Sequence, residues 1–158
     1  MKRSLIVRFL VLTLTLLVGS FAVTATERPF SLNGTGVAIP IVDANGNVVG
    51  ANPTGSGNAT HLGVFTNSGH VDFTPDATNP TILHPSGGGV FTAANGDKLN
   101  FVIISGALDL TTGIGTGDFA FAGGTGRFVN ATGLTSGVIQ QNVITGAYEL
   151  TLVGKIDY

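Results

Sequence analysis

The 158-residue chain contains no cysteine and no tryptophan, and only 10% of its residues are charged. Without cysteine, disulfides, zinc–thiolate centres and thiol nucleophiles are excluded, so a folded domain has to be held together by its core. Helical periodicity is also missing, because no window of a dozen residues repeats apolar positions at intervals of three and four without a glycine or β-branched interruption. The sequence therefore predicts an all-β protein.

Familiar catalytic and nucleotide-binding motifs are missing as well. No Gly-x-Ser-x-Gly nucleophile elbow occurs, and no two carboxylates have a spacing that suggests acid–base catalysis. The Gly-Thr-Gly at 124–126 is followed by Arg-Phe instead of the Lys-Ser/Thr of a phosphate-binding loop. His61, His70 and His84 are too scattered for a metal site in a chain of sequential strands. We predict no cofactor, no metal and no catalytic residue.

The first 25 residues have the three-part layout of a secretory signal peptide. Three basic residues lie within the first eight positions, an uncharged run covers 9–18, and small residues follow at 23–25. Cleavage is expected after Ala25, with Ala22 as the second choice. An uncleaved anchor is the competing interpretation, but the apolar run is shorter than the roughly 20 residues of a spanning helix. The expected organisation is a signal peptide at 1–25 and one domain at 26–158.

Removal of that segment would leave four basic and nine acidic side chains, a formal charge of −5. The remaining basic groups are dispersed along the chain, so they give no electrostatic footprint for nucleic acid or anionic lipid. We therefore expect a secreted protein, either extracellular or in the periplasm or cell envelope, with no nucleic-acid partner and no membrane span in the mature chain.

Short runs rich in Val, Ile, Phe and Thr alternate with clusters of Gly, Asn, Asp and Pro. They predict eight strands, at 29–39, 58–66, 69–74, 88–94, 97–106, 116–122, 134–142 and 145–157. Asn95-Gly96 predicts a hairpin with a type I′ turn. Tight connections are predicted at 67–69 and 142–146, and a turn at 45–47 lies within a long first loop. Segment 75–87 holds three prolines and is predicted to be an irregular surface loop.

Eight sequential strands with mostly short connections favour an antiparallel up-and-down β-barrel, whose interior is large enough for side chains or one small ligand. The strand at 99–104 has apolar residues on both faces, so Val102 and Ile104 need a cover on the outside. A subunit interface would cover them, and so would the 75–87 segment folded across the barrel.

The glycine-dense run at 123–133, Gly-Gly-Thr-Gly-Arg-Phe-Val-Asn-Ala-Thr-Gly, resembles the G-G-T-G-x-F-x-x-A-x-G signature of the dirigent and allene oxide cyclase group. Residues 59–63 and 91–97 resemble small secreted bacterial proteins described as allene oxide cyclase barrel-like. The resemblance implies an eight-stranded, calycin-like antiparallel barrel with a hydrophobic cavity, often assembled as a trimer. Plant members carry acidic residues or histidine in an N-terminal strand, whereas residues 30–36 contain neither. Physically, the glycines are explained by a sharp corner between two strands.

Six side chains are candidates for ligand contact: His61, Phe65, Phe101, Phe121, Arg127 and Tyr148. Two of them have structural alternatives. His61 shares a predicted strand register with Phe65, and a buried neutral histidine with one hydrogen bond is the favoured interpretation of it. Arg127 suits either a ligand carboxylate at the barrel mouth or a structural pair with Asp118, Asp97 or Glu149.

The favoured function is a non-enzymatic secreted barrel that binds a small apolar ligand or assembles at the cell envelope. The alternative is a cofactor-independent cyclase or isomerase, or dirigent-like stereocontrol, in which the cavity folds a hydrophobic substrate into a reactive conformer. A purely structural role stays open, because a completely filled barrel would bind nothing.

Overall fold

The computed structural model describes residues 26–158, so the predicted signal peptide at 1–25 lies outside the described residues. The described part consists of eight β-strands and one short 3₁₀ helix, η1. Their bounds are β1 Arg28–Val42, β2 Val48–Ala59, β3 Gly63–Pro75, β4 Ile82–Ala93, β5 Lys98–Asp109, β6 Ile114–Gly124, η1 Gly126–Phe128, β7 Leu134–Gln141 and β8 Ala147–Ile156.

Each strand pairs antiparallel with the next, and β8 pairs back with β1, so the sheet closes into a barrel. This confirms the predicted all-β, eight-stranded up-and-down architecture. We call the end of the barrel that holds the turns at 60–62 and 94–97 and the corner at 125–133 the lower end. The upper end holds the turns at 43–47, 76–81, 110–113 and 142–146.

The first strand boundaries differ from the prediction, because β2 occupies much of what was expected to be a long loop. The turn at 45–47 is instead the whole β1–β2 hairpin connection, with Gly46 at φ +84°. The glycines and proline of β2 had suggested a loop. Pro53 is accommodated because it lies where the β2–β3 ladder is interrupted, between Ala51 and Thr54, so its missing N–H donor is not needed there.

The predicted tight connection at 67–69 is also wrong, because β3 runs through it without a break. Asn67 and Ser68 pair with Phe91 and Val90 of β4. The connection between β2 and β3 lies earlier, at 60–62. The predicted count of eight strands is correct because one missed strand, β2, offsets one strand that was divided in two.

Segment 75–87 is mostly strand, so the predicted surface loop shrinks to residues 76–81. The prolines and glycines there mark an irregularity in β4. Pairing with β5 stops at Leu83 and resumes at Gly88, while pairing with β3 continues through Pro85. Pro85 is therefore tolerated beside a break in the sheet, and Gly87 adopts φ +114° within it.

The hairpin at Asn95-Gly96 joins β4 and β5 as predicted, but the turn is not type I′. Only Gly96 has a positive φ, and its N–H donates to the Ala93 carbonyl at 2.9 Å. A turn that ends in a left-handed glycine is the common three-residue hairpin, in which Asn95 keeps a negative φ.

The lower half of the barrel is filled by a continuous apolar core. Its buried members are Phe30, Leu32, Leu62, Phe65, Phe91, Ala93, Leu99, Phe121, Phe128, Ala131, Leu152 and Ile156. The corner at 125–133 closes this end, because η1 turns Phe128 inward until it is 0% exposed. Gly126 is required at the corner, since its φ is +58° and a Cβ there would collide with the Asp97 carboxylate.

The outer surface carries Val102 and Ile104, which are 40% and 59% exposed. Since residues 82–87 belong to the barrel wall, the interpretation that segment 75–87 folds over these side chains is wrong. Within residues 26–158, no helix combines the length and hydrophobicity needed to cross a membrane.

Candidate functional site

A cavity of about 120 Å³ lies in the upper half of the barrel. Its walls come from all eight strands and are predominantly apolar. The apolar residues that line it include Ala38, Ala51, Pro53, Val71, Phe73, Pro85, Phe91, Phe101, Ile103, Ala107, Leu108, Phe119, Ile139 and Leu150. Because small residues face inward from several strands, this end of the barrel is left unfilled while the lower end is packed.

Aromatic rings form one side of the cavity and connect it to the lower core. Phe91 stacks on Phe101 with their ring centroids 4.6 Å apart, and Phe119 meets Phe101 edge-on at 6.1 Å. Phe91 also contacts Phe65, which lies deeper in the core, at 5.2 Å. These stacked and edge-on contacts stabilise the rings against one another, so they form a continuous apolar surface on this side of the cavity.

Tyr148 and Asn67 place a polar pair in these apolar surroundings. The Asn67 Nδ2 donates to the Tyr148 hydroxyl oxygen at 3.1 Å, and both residues line the cavity. Burial raises the pKa of the Tyr148 phenol, and the hydrogen bond from Asn67 opposes the rise. The phenol therefore stays protonated at neutral pH.

Two glycines create the space that the Tyr148 ring occupies. A Cβ on Gly36 of β1 would lie 2.6 Å from the Tyr148 hydroxyl oxygen, and a Cβ on Gly55 of β2 would lie 2.8 Å from it. Side chains at these positions would displace the phenol. The ring of a β8 residue thus lies across β1 and β2 and reaches Asn67 on β3.

Charged groups do not line the cavity in the part of the chain that the structure describes: its wall contains no Asp, Glu, Lys, Arg or His. Nor do residues 26–158 bring three His, Asp or Glu side chains together in a group that could hold a metal ion. The chemistry that the cavity offers is apolar contact together with hydrogen bonding.

The wall of the cavity passes the break between β4 and β5, where Pro85 of β4 lies beside Gly106 of β5. His84 bridges this break. Its Nδ1 lies 3.0 Å from the Gly106 carbonyl oxygen and its Nε2 lies 3.1 Å from Asp76 Oδ2. The hydrogen bond with Asp76, followed by that with Gly106, raises the pKa of His84. The imidazolium, which can donate from both nitrogens, is the form that fits these two acceptors.

The structure places four of the six candidate side chains inside the barrel. Phe101 and Tyr148 line the cavity. Phe65 and Phe121 are buried in the lower core, where Phe121 packs edge-on against Phe30 at 4.8 Å.

His61 and Arg127 lie at the lower end, away from the cavity. His61 is in the β2–β3 turn with φ +67°, so its predicted strand register with Phe65 is wrong, and its Nε2 contacts the Pro29 carbonyl oxygen at 3.0 Å. Arg127 lies in η1 with its Nε 3.8 Å from Asp97 Oδ2, one of the three pairings that the sequence had suggested.

Asn67 is among the cavity residues that sequence reasoning missed, because Asn-Ser-Gly was taken as a turn. A signal was present. Residues 65, 67, 69, 71 and 73 alternate with exposed positions, so a single continuous strand would have placed Asn67 on the same face as Phe65 and Phe73.

A second depression lies on the outer surface across β5, β6 and β7. Asp118 accepts hydrogen bonds there from Ser136 at 2.7 Å and Ser105 at 2.9 Å, which lower the pKa of its carboxyl group. Both carboxylate oxygens are thereby engaged by neighbouring strands, so the network ties β5, β6 and β7 together.

No family model and no curated protein sequence matches the chain. Among solved structures, the barrel is similar to that of a pterocarpan synthase dirigent protein, with 11% sequence identity and a TM-score of 0.56. The alignment covers 84% of this chain and 86% of that protein. At such low identity the likeness concerns the backbone alone, and the chain shares the closed eight-stranded barrel fold of a dirigent protein.

Proposed function

We propose that the upper cavity binds one small, uncharged, mostly apolar molecule, and that the protein acts as a binder. The observation that carries the proposal is the contrast between the two halves of one barrel. The lower half is packed with buried, mostly large apolar side chains, whereas the upper half keeps a cavity of about 120 Å³ with an apolar wall. Apolar pockets with a few placed polar groups are the usual form of small-molecule sites.

Binding is favoured over catalysis because the cavity wall offers little acid–base chemistry. Tyr148 is the one titratable side chain among the described residues that line it, and burial raises the pKa of its phenol. A cyclase, an isomerase or dirigent-like stereocontrol would use the same cavity. General acid–base catalysis would need a group whose pKa lies near the working pH, and the phenol is far from that condition.

The proposal is tested by titrating the purified protein with benzene, which is small enough for the cavity, while following its backbone amide signals by NMR. Saturable shifts confined to cavity residues are expected. Ala51→Phe, at a buried position of β2 that lines the cavity, would fill it and is expected to abolish them. Ala122→Phe is the matched control, since Ala122 is exposed on β6 near the lower end. Unsaturable shifts, or equal binding by both variants, would contradict a binding function for the cavity.

We also propose export, on the strength of the signal-peptide pattern at 1–25. Secreted protein should begin at Thr26 or, with the second cleavage site, at Val23. Mature material that begins at Met1 would contradict the proposal.

We further propose that the protein assembles as a trimer. The exposed apolar side chains of Val102 and Ile104 would then be covered at the subunit interface. Sedimentation equilibrium of the wild type against a Val102→Ser/Ile104→Ser variant tests it. The variant is expected to shift toward the monomer, and a wild type that sediments as a strict monomer would contradict assembly.

A further inference from the structure

We propose that the ligand of the upper cavity is a neutral molecule with one oxygen that accepts a hydrogen bond from the Tyr148 phenol, of which a ketone is the simplest example. The inference rests on the proposed binding function and narrows it to a chemical class. Its basis is the hydrogen bonding of the two polar groups in the cavity, Tyr148 and Asn67.

The phenol proton lacks a well-placed acceptor among the described residues. Asn67 Nδ2 donates to the Tyr148 oxygen at 3.1 Å, so that oxygen acts as the acceptor of the pair. The reverse bond, from the phenol to Asn67 Oδ1, spans 3.5 Å. Hydroxyl donors usually lie about 2.7–2.8 Å from their acceptors, so this contact engages the proton weakly.

A weakly engaged donor in an apolar cavity favours a ligand that completes its hydrogen bond. Buried polar groups are nearly always paired, and leaving one unpaired is costly. The Tyr148 side chain is 5% exposed, so solvent has little access to it. An oxygen acceptor on the ligand would receive the proton without disturbing the bond from Asn67.

The uncharged residues that line the cavity also determine which ligand charge it can accept. A carboxylate would be buried without a cationic partner, because none of the described lining residues carries a positive charge. The raised pKa of Tyr148 keeps its proton in place over the physiological pH range, so the group stays a donor. Anionic ligands are therefore disfavoured and neutral acceptors are selected.

Two probes of nearly the same shape isolate the hydrogen bond. Cyclopentanone carries a carbonyl where methylenecyclopentane carries a methylene, so the ratio of their dissociation constants, followed across variants, cancels the difference in their transfer from water. In Tyr148→Phe the cyclopentanone/methylenecyclopentane ratio of Kd is expected to rise about tenfold, the value of one hydrogen bond. The double variant Asn67→Val/Tyr148→Phe removes the amide that the single change leaves free, and the ratio is expected to rise by a similar factor.

The outcomes separate the inference from the function on which it rests. A ratio that is the same in the wild type and both variants would overturn the selection of an acceptor, even if both probes bind. Butyrate binding as tight as that of cyclopentanone would overturn the neutral class. Failure of the wild type to bind either neutral probe would contradict the binding function itself, and the inference with it. Unchanged Kd values for methylenecyclopentane in the variants would show that the cavity survives the substitutions.

Discussion

At the scale of single residues, the barrel interior accommodates polar atoms chiefly where another polar atom meets them. In the cavity, the Tyr148 hydroxyl oxygen accepts a hydrogen bond from the Asn67 amide. Thr135 does not follow this pattern, because it is 2% exposed and its hydroxyl has no hydrogen-bond partner among residues 26–158. Burying a hydroxyl without a hydrogen-bond partner destabilises the folded state, because the group loses its hydrogen bonds to water and gains none in the protein.

Thr135→Val should therefore stabilise the protein, because valine keeps the shape of threonine and removes the unpaired hydroxyl. The free energy of unfolding is expected to rise by about 1 kcal/mol. Urea denaturation measures it, with Thr66→Val on the exposed face of β3 as the control. The control is expected to change the free energy by less than about 0.5 kcal/mol. Destabilisation by Thr135→Val would show that the hydroxyl is hydrogen-bonded, for example to a buried water.

Arg127 belongs to the closed lower end, so a structural role is expected for it. Its pair with Asp97 is partly exposed and long, at 3.8 Å, and such pairs contribute less than about 1 kcal/mol. Arg127→Lys should lower the melting temperature slightly and leave the affinity of benzene unchanged. A large change in affinity with an unchanged melting temperature would assign Arg127 to ligand binding.

At the scale of elements, glycines decide how closely two strands and an inward-facing ring can approach. A Cβ on Gly36 would lie 2.2 Å from the Thr54 carbonyl oxygen, besides contacting the Tyr148 hydroxyl. A Cβ on Gly34 would lie no closer than 3.2 Å to Phe65 and Ser56. Both positions are on the inward face of β1, so they form a matched pair.

Gly36→Ala is expected to cost about 3 kcal/mol of unfolding free energy, at the upper end for overpacked positions. Gly34→Ala is expected to cost about 1 kcal/mol, because only small shifts are needed. Chemical denaturation of the two variants gives the comparison. Equal costs would mean that the Tyr148 ring is not held between the glycines of β1 and β2.

The His84 bridge across the β4–β5 break predicts a pH-dependent stability. Because the folded-state pKa of His84 is raised, the bridge contributes fully below the usual pKa of 6.5 and is lost as the pH rises through the folded-state value. Asp76 has a lowered pKa, so it stays ionised over this range. The wild type should therefore exceed His84→Gln in melting temperature at about pH 5, and the gap should narrow toward about pH 9.

Asp76→Asn is the partner variant, since it replaces the carboxylate by a neutral amide and keeps the histidine. In the Asp76→Asn background, the change in melting temperature caused by His84→Gln should lose most of its pH dependence. A gap between the wild type and His84→Gln that stays constant across the pH range would contradict a bridge that depends on protonation.

Sequence patterns predict the fold better than the boundaries of its strands. Strict alternation in β8 predicts that Tyr148 faces inward, and the glycine run at 123–133 predicts the closing corner. Local composition misleads wherever glycine or proline is required by a distant neighbour. Gly55 and Pro53 are typical of a loop, yet both lie in β2. Gly55 leaves room for the Tyr148 ring, and Pro53 lies where the β2–β3 ladder is interrupted. Contacts between β8 and β2 are not encoded in either segment alone.

At the scale of the whole molecule, the barrel is packed at one end and hollow at the other. A cavity of about 120 Å³ forgoes roughly 3 kcal/mol of stability, at about 24 cal/mol for each Å³ of empty volume. That is a substantial share of the net stability of a domain of this size. A ligand that fills the cavity would recover part of it, so the apo protein should be stabilised by the molecule it binds.

The most direct test of the cavity and its apolar character is a crystal of the protein held under xenon gas. Apolar cavities take up xenon, and its strong scattering locates the atom without a model of the ligand. We expect a xenon peak inside the upper half of the barrel, between Phe101, Ile139 and Tyr148. Xenon found only between molecules or on the outer surface, with side chains filling the upper half, would contradict the central claim that this barrel holds a binding cavity.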